Sequence, residues 1–149
     1  MNREILFKAK RKDNGKWVEG YYRRIPCMGM LEHYIMPRNP KNRMEQYAID
    51  PDTICQYTGL TDKNGRKIWE NDILRGYQYP YRSDGNDNYF AEVTWFENCP
   101  AFGIYTFKNP KSNVCGISEG NTEFMENWNS EDWEVIGNIF DNPDLLEAK

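Results

Sequence analysis

The chain is poor in the residues that build metal and redox sites. Its four cysteines, Cys27, Cys55, Cys99 and Cys115, lie far apart and form no C-x-x-C pair, and His33 is its one histidine. Cysteines in such a pattern are expected to stay reduced, and a zinc site would need ligands from remote parts of the chain. The sequence therefore predicts no metal site and no cofactor.

Long apolar stretches are also missing. No run of about 18 apolar residues occurs, which argues against a transmembrane helix. Residues 1–8 carry no long apolar segment after Arg3, which argues against a secretory signal peptide. We therefore expect no membrane partner and a cytoplasmic protein.

Sequence motifs of common catalytic sites are absent too. Neither G-x-x-x-x-G-K-[ST] nor G-x-G-x-x-G occurs, and no serine lies in a G-x-S-x-G turn. His33 is favoured as a polar residue of a strand or loop, so no catalytic residue is predicted.

One carboxylate pair is the best enzymatic candidate. Glu70 and Asp72 lie two residues apart and would share one face of a strand, where they could perform acid–base or metal-assisted chemistry. A turn is favoured instead, in which Asp72 accepts backbone hydrogen bonds and Asn71 adopts a positive φ.

Aromatic residues are plentiful, at 15% of the chain, and favour strands. Short alternating segments with turns every ten to fifteen residues predict a mainly β, or β-rich α+β, fold: a small antiparallel barrel or sandwich of short strands. One short helix is predicted near residues 122–128, because Asn121 or Thr122 can cap it and Phe124 and Trp128 share a face. We expect a single domain over residues 1–149, with an N-terminal β subregion at 1–50 and a barrel-like subregion at 51–149 as an option.

Two neighbouring segments near the N-terminus differ in how clearly they can be interpreted. Asn14-Gly15 lies between two alternating segments and predicts a hairpin. Residues 27–36 predict a strand that bends at Gly29. The methionines of this segment suit either the core or a soft contact surface, and the core is favoured.

Charge is unevenly distributed along the chain. Residues 1–82 contain 16 Lys and Arg against 10 Asp and Glu, a net charge of +6, whereas residues 83–149 contain 3 against 13, a net charge of −10. Such asymmetry suits two faces that complement each other within the fold or across a dimer, and it also suits a nucleic-acid surface on the first half. The acidic total of −4 favours the first interpretation.

A polar, aromatic stretch at residues 76–89 is the best binding candidate. It places cations between aromatic rings, a mixture that single-stranded nucleic acids and protein partners both use. Its candidate binding residues are Tyr77, Tyr79, Tyr81 and Arg82, together with Arg75 just before it. A solvated loop edge is an equally good interpretation of this stretch.

Three central blocks resemble the YopX-like proteins of phages and prophages. They are QYTGL at residues 56–60, DKNG at 62–65 and IWENDI at 68–73. The opening FKA and KWV and the closing EVIGNIFDNPDLL at 134–146 are similar to that family's ends. The signature residues, interpreted as structural, are Tyr57, Thr58, Gly59, Leu60, Asp62, Gly65, Glu70, Asp72, Gly137 and Asn138. Asn71 stands where the family usually has Gly, and Trp69 stands where it usually has Tyr.

The resemblance implies a mostly β fold, a phage or prophage origin and action in the cytoplasm of the bacterial host. It implies no established activity and no catalytic residues. The leading hypothesis is a non-enzymatic interaction protein that binds a host or phage macromolecule. A single-stranded nucleic-acid-binding protein is the alternative, and a carboxylate- or metal-dependent hydrolase is a further one. A homo-oligomer is compatible with the charge pattern.

Overall fold

The described residues form two antiparallel β-sheets. A computed structural model describes residues 4–76, 89–96, 101–108, 121–124 and 133–147. The mainly β prediction is confirmed. Within these ranges the sheets form no closed barrel, and no helix reaches seven residues. Nor is any helix in them long and apolar enough to cross a membrane.

Eleven strands are described. They are β1 (Phe7–Lys10), β2 (Trp17–Cys27), β3 (Met30–Pro37), β4 (Tyr47–Ala48), β5 (Cys55–Thr61), β6 (Lys67–Trp69), β7 (Asp72–Gly76), β8 (Tyr89–Phe96), β9 (Ala101–Lys108), β10 (Asn121–Phe124) and β11 (Trp133–Asn138). The sheet orders are β4-β3-β2-β1-β5-β6 and β10-β9-β8-β7-β11. Short 3-10 helices occupy Pro51–Thr53 and Pro143–Glu147.

Two compact units, Met1–Gly59 and Leu60–Lys149, make up the chain. This boundary lies about ten residues after the predicted one at residue 50, and the single-domain expectation stays a prediction. In the first unit, β1 to β3 form a meander over a small apolar cluster. The cluster contains Ala9, Ile35 and Ile49, with Phe7, Val18, Tyr22 and Ile54 packed against it.

The predicted N-terminal hairpin turn is confirmed. Gly15 has a φ of 69°, and the Lys16 N–H donates to Asn14 Oδ1 at 2.9 Å. Beyond it, residues 27–36 are not one bent strand. Met28 and Gly29 form a turn, and Cys27 pairs with Met30 across it.

The second unit has the larger core. Alternate residues of β7, β8, β9 and β11 meet in one apolar cluster, as the period of two in a strand requires. The cluster contains Ile68, Leu74, Ala91, Val93, Phe102, Ile104, Trp133 and Val135, with Leu60 packed against it.

The helix predicted near residues 122–128 is wrong where the structure describes it. Asn121–Phe124 is a strand, and Asn121 pairs with Thr106 while Phe124 pairs with Gly103 of β9. An isolated helix of two turns is marginal in water, so the sheet hydrogen bonds prevail. Residues 125–128 lie outside the described ranges.

Candidate interaction surface

The first unit extends a two-stranded arm. β2 pairs with β1 over residues 17–20, and β3 pairs with β4 at Tyr34 and Ile35. Toward the turn the two strands pair with each other, from Arg24 with His33 to Cys27 with Met30. Residues 23–32 are called the arm below. An antiparallel ribbon without a third strand buries little of its own surface, so the side chains near its turn are exposed.

The arm ends in an exposed apolar tip. Met28 is fully exposed, and Met30 and Leu31 expose 73% and 53% of their surface. Pro26 and Cys27 are exposed beside them. The prediction that the methionines here fill the core is therefore wrong for Met28 and Met30, because the segment turns where one continuous strand was expected.

Backbone strain coincides with this tip. Met28 has a φ of 49° and Gly29 a φ of 79°, so both central residues of a two-residue hairpin turn adopt positive φ, as in a type I′ turn. Asn, Asp or Gly normally fills the first of these positions, and a larger side chain there is disfavoured by about 1–2 kcal/mol. The tip thus presents a long apolar side chain from a position that disfavours it.

Two arginines lie behind the tip. Arg23 and Arg24 are consecutive, exposed residues of β2, so their side chains leave opposite faces of the ribbon. Within the described residues neither forms an ion pair. Glu32, the one acidic residue of the arm, accepts a hydrogen bond from the Tyr34 hydroxyl, and this bond raises the pKa of Tyr34. The arm therefore combines a net positive charge with an apolar end.

The base of the arm is anchored by the one histidine. The His33 ring stacks on Tyr22, with centroids 5.8 Å apart and an interplanar angle of 15°, and the Tyr22 hydroxyl is hydrogen-bonded to His33 Nδ1. Burial raises the pKa of Tyr22. These contacts are those of a packed strand residue.

Cations and aromatic rings also meet on the rest of the first unit. Lys8 Nζ and Lys10 Nζ lie 4.7 and 5.5 Å from the centroid of the Trp17 ring. Arg11 Cζ lies 4.0 Å from the centroid of Tyr47. Each of these distances falls within the range of a cation–π contact. This group is called the cation–aromatic set below.

Among the predicted binding residues, Arg75 is the one that the structure describes. Arg75 Nη2 lies 2.9 Å from Glu134 Oε2, and Lys63 Nζ lies 3.7 Å from the same oxygen. Arg75 is thus engaged with a neighbouring strand, which leaves a weaker case for its binding an external partner. Tyr77, Tyr79, Tyr81 and Arg82 lie outside the described residues, and their binding role stays a prediction.

Asp62 joins the family signature to a distant strand. The residue is 4% exposed, and its carboxylate accepts the N–H groups of Asn64 at 2.8 Å, Arg66 at 2.9 Å and Val135 at 2.9 Å. Burial alone raises the pKa of this carboxyl, but the three backbone donors outweigh it and lower the pKa. Gly65, with a φ of 80°, closes the turn, and Arg66 Nη1 donates to the Val135 carbonyl at 3.2 Å.

Asp72 and Asn71 form the turn that their sequence favours. Asp72 is 2% exposed, and its Oδ2 accepts the Trp69 N–H at 2.8 Å. Asn71 has a φ of 70°. Its N–H donates to Val93 O at 2.9 Å, and its carbonyl accepts from Ile139 N at 3.1 Å. Glu70 is half-buried beside them. Within the described ranges no group of three His, Cys, Asp or Glu residues is arranged to hold a metal ion.

The closing block is held by side-chain caps. Asn138 Oδ1 accepts the N–H groups of Phe140 at 3.0 Å and Asp141 at 2.9 Å, and Asn142 Oδ1 accepts the Asn138 N–H at 3.2 Å. A Cβ on Gly137 would lie 2.3 Å from Asn142 Oδ1. This close approach explains the glycine physically.

The QYTGL block is likewise packed into the protein. Tyr57 and Thr58 are buried, and Leu60 packs on the large core. The Tyr57 N–H donates to Leu6 O at 2.9 Å, and burial raises the pKa of Tyr57. Gly59 has a φ of 89°. These residues of the signature contact other parts of the same chain, and the structural role of the signature stays a prediction.

Comparisons with known proteins give the family. The crystal structure of protein EF1440 from Enterococcus faecalis is similar, with 21% sequence identity and a TM-score of 0.44 over 97% of this chain and 99% of that one. No curated protein matches the chain. The model of the YopX protein family matches residues 6–147, nearly the whole chain, as the motif resemblance predicts. The chain therefore belongs to the YopX protein family.

Proposed function

We propose that this protein is a non-enzymatic interaction protein that binds a macromolecule through the arm. The observation that supports this is the strained and fully exposed Met28 at an apolar tip. Strain persists in proteins where the surroundings compensate for it, and it is concentrated at functional sites. Within the described residues no contact offsets the backbone strain at Met28. A contact between the methionine side chain and a bound partner would offset it.

The chemistry of the arm suits a protein surface. Methionine adapts to irregular apolar pockets and is frequent at binding surfaces. Arginine is enriched among the residues that dominate binding energy, and Arg23 and Arg24 flank the tip. Such an arm fits a partner that offers an apolar pocket with an acidic rim.

The cellular setting is part of the proposal. We propose a phage or prophage protein that acts in the cytoplasm of the bacterial host and needs no cofactor. The membership in the YopX family supports this setting, since the resemblance implies it.

Arm-dependent capture tests the proposal. Tagged wild type, Met28→Asn and Arg23→Glu/Arg24→Glu are incubated with lysate from bacteria that also express the untagged protein, with and without nuclease. Lys41→Glu/Arg43→Glu, which reverses two exposed charges between β3 and β4, is the matched control. The proposal expects a partner that wild type and control retain and both arm variants lose. Equal recovery by all four proteins contradicts it, as does turnover of a defined substrate that Asp72→Asn abolishes.

Single-stranded nucleic-acid binding is the second candidate. The cation–aromatic set favours it, because bases stack on aromatic rings while cations contact phosphates. The net charge of +6 on residues 1–82 adds long-range attraction, whereas the acidic total weakens it.

Fluorescence anisotropy with a labelled single strand tests this candidate. A strand of about 20 nucleotides exceeds the roughly 4–16 nucleotides that one OB fold covers. Binding that weakens steeply with salt, and also in Trp17→Ala, Tyr79→Ala and Arg82→Ala, is expected. Binding that ignores salt and all three substitutions rejects it.

The hydrolase hypothesis receives no comparable support. Asp72 is almost fully buried and holds a backbone N–H, which suits a turn better than a metal-bound nucleophile. A divalent ion that raises the unfolding temperature of wild type, and not of Asp72→Asn, would revive it.

A further inference from the structure

We propose that the arm of one chain docks on the C-terminal segment of a second copy, here residues 141–147. This inference rests on the proposed function of the arm and names its partner. The two surfaces are complementary in charge and in apolar character.

The C-terminal segment is acidic and partly apolar. Asp141 and Asp144 are exposed, and Leu146 exposes 38% of its surface. Asp141 Oδ2 also accepts a hydrogen bond from Asn138 Nδ2 at 3.2 Å. The segment, which includes the 3-10 helix at Pro143–Glu147, thus offers two carboxylates and an exposed leucine.

The arm carries the opposite combination. Arg23 and Arg24 lie behind Met28, Met30 and Leu31, and all five are exposed on the single chain. Guanidinium groups pair well with carboxylates in two-point contacts. Because Arg23 and Arg24 leave opposite faces of the ribbon, the arm presents one of them to the segment whichever face it turns toward it. An apolar tip that inserts beside Leu146 would bury methionine surface of one chain and leucine surface of the other.

Local chemistry favours a second copy over nucleic acid or a membrane. The protein carries a net charge of −4, so nucleic acid and an anionic membrane both repel the whole molecule. A second copy repels it through the same net charge, but it also brings the exposed Asp144 and Leu146 to the arm. The attraction is therefore the short-range pairing of the arm with the C-terminal segment.

A two-fold axis would double the small area that one arm–segment contact buries. A stable interface buries about 800 Å² on each partner, more than the tip of a short ribbon offers. If the arm of each copy docks on the segment of the other, a two-fold axis repeats the contact and closes the dimer. The proposal is therefore a symmetric dimer with two identical arm–segment contacts.

Reciprocal charge reversal tests this pairing. Sedimentation velocity is measured over a concentration series for wild type, Arg23→Glu/Arg24→Glu and Asp141→Lys/Asp144→Lys, and for a one-to-one mixture of the two variants. Wild type is expected to dimerise, and each variant alone to associate on the order of 100-fold more weakly, because like charges then face each other. In the mixture both contacts again join opposite charges, so dimers should return. Lys41→Glu/Arg43→Glu should behave as wild type.

Met28→Asn tests the arm in a variant whose weaker dimerisation could not be caused by misfolding. Asparagine suits the positive φ, so this variant should unfold at a higher temperature and yet dimerise several-fold more weakly. A wild type that stays monomeric at every concentration overturns the inference, as do variants that dimerise like wild type or a mixture that stays monomeric.

Failure of this inference differs from failure of the proposed function. A monomeric wild type whose arm still captures a nuclease-resistant partner rejects the second copy and retains the interaction module. Loss of the arm-dependent partners after nuclease treatment identifies a nucleic acid as the occupant and rejects the second copy. Identical capture by wild type and arm variants rejects the proposed function itself.

Discussion

Positive φ has different support at the arm tip and at the Asn71 turn. Asn71, at 70°, exchanges backbone hydrogen bonds with Val93 and Ile139 and sits beside the buried Asp72. Met28, at 49°, is fully exposed. Asparagine tolerates the positive φ at position 71, and the surrounding hydrogen bonds stabilise it. Methionine does not tolerate the positive φ at position 28, and strain of this kind is typical of functional sites.

Among the substitutions considered, removal of the Asp62 carboxylate should lower the free energy of unfolding the most. Asp62→Ala leaves three backbone N–H groups without their acceptor, those of Asn64, Arg66 and Val135. The Val135 N–H is buried and the other two are part-buried. A fully buried unsatisfied group costs about 1–3 kcal/mol and the other two cost less, so we expect a loss of about 3–5 kcal/mol in the free energy of unfolding. Urea denaturation followed by tryptophan fluorescence measures it.

Asp13 is the matched control for this change. It is exposed and pairs with Arg11, which lowers the pKa of Asp13. Asp13→Ala should leave the urea midpoint unchanged. Equal effects of the two substitutions would show that Asp62 does not hold the second unit together.

Gly20→Ala should come next, at the base of the arm. An added Cβ would lie 1.9 Å from the Met36 carbonyl oxygen, which is backbone and cannot rotate away. Overpacking of this kind costs about 1–3 kcal/mol, occasionally more. Gly137→Ala, whose Cβ meets the Asn142 side chain, should cost less because that side chain can move. A larger loss for Gly137→Ala in thermal unfolding would reverse the ranking.

Met28→Asn should change stability in the opposite direction. It relieves the positive φ of Met28, and we expect a gain of about 0.5–1 kcal/mol, a share of the cost of this conformation. Asn71→Met places methionine in the supported turn and should lose stability. Chemical denaturation of both variants checks the pair, and a loss on Met28→Asn would remove the strain argument for the arm.

Glu92→Gln should have the smallest effect, and its sign depends on pH. Burial raises the pKa of Glu92, so the charged form destabilises the folded state above the ordinary glutamate pKa of about 4.3. Glu92→Gln should therefore raise the unfolding midpoint at pH 7, and the difference should vanish near pH 4. Asp62, whose pKa is lowered, should show the reverse: its stabilisation is present at neutral pH and is lost on acidification.

Thermal scans from pH 3 to pH 8 distinguish the two carboxylates. A Glu92→Gln difference that grows on acidification would contradict the burial argument. A wild type whose acid sensitivity persists in Asp62→Ala would assign the acid loss to other carboxylates.

The sequence by itself predicted the features that depend on residues close together along the chain. The mainly β class follows from alternating aromatic segments, and the turn at Asn14-Gly15 and the positive φ of Asn71 follow from side chains that tolerate those conformations. The motif blocks alone indicated the family. These features are local, since a few consecutive residues decide them.

Only the tertiary structure decided the features that join distant residues. It placed a turn at Met28 and Gly29, which makes residues 23–32 an exposed arm, and it drew Asn121–Phe124 into a strand beside β9. It also brought Asp62 to the N–H of Val135, 73 residues away. Such pairings depend on which strands meet, and strand propensity follows from packing against neighbours rather than from the backbone alone. The sequence therefore could not predict the exposed arm, because its methionines suited a core equally well.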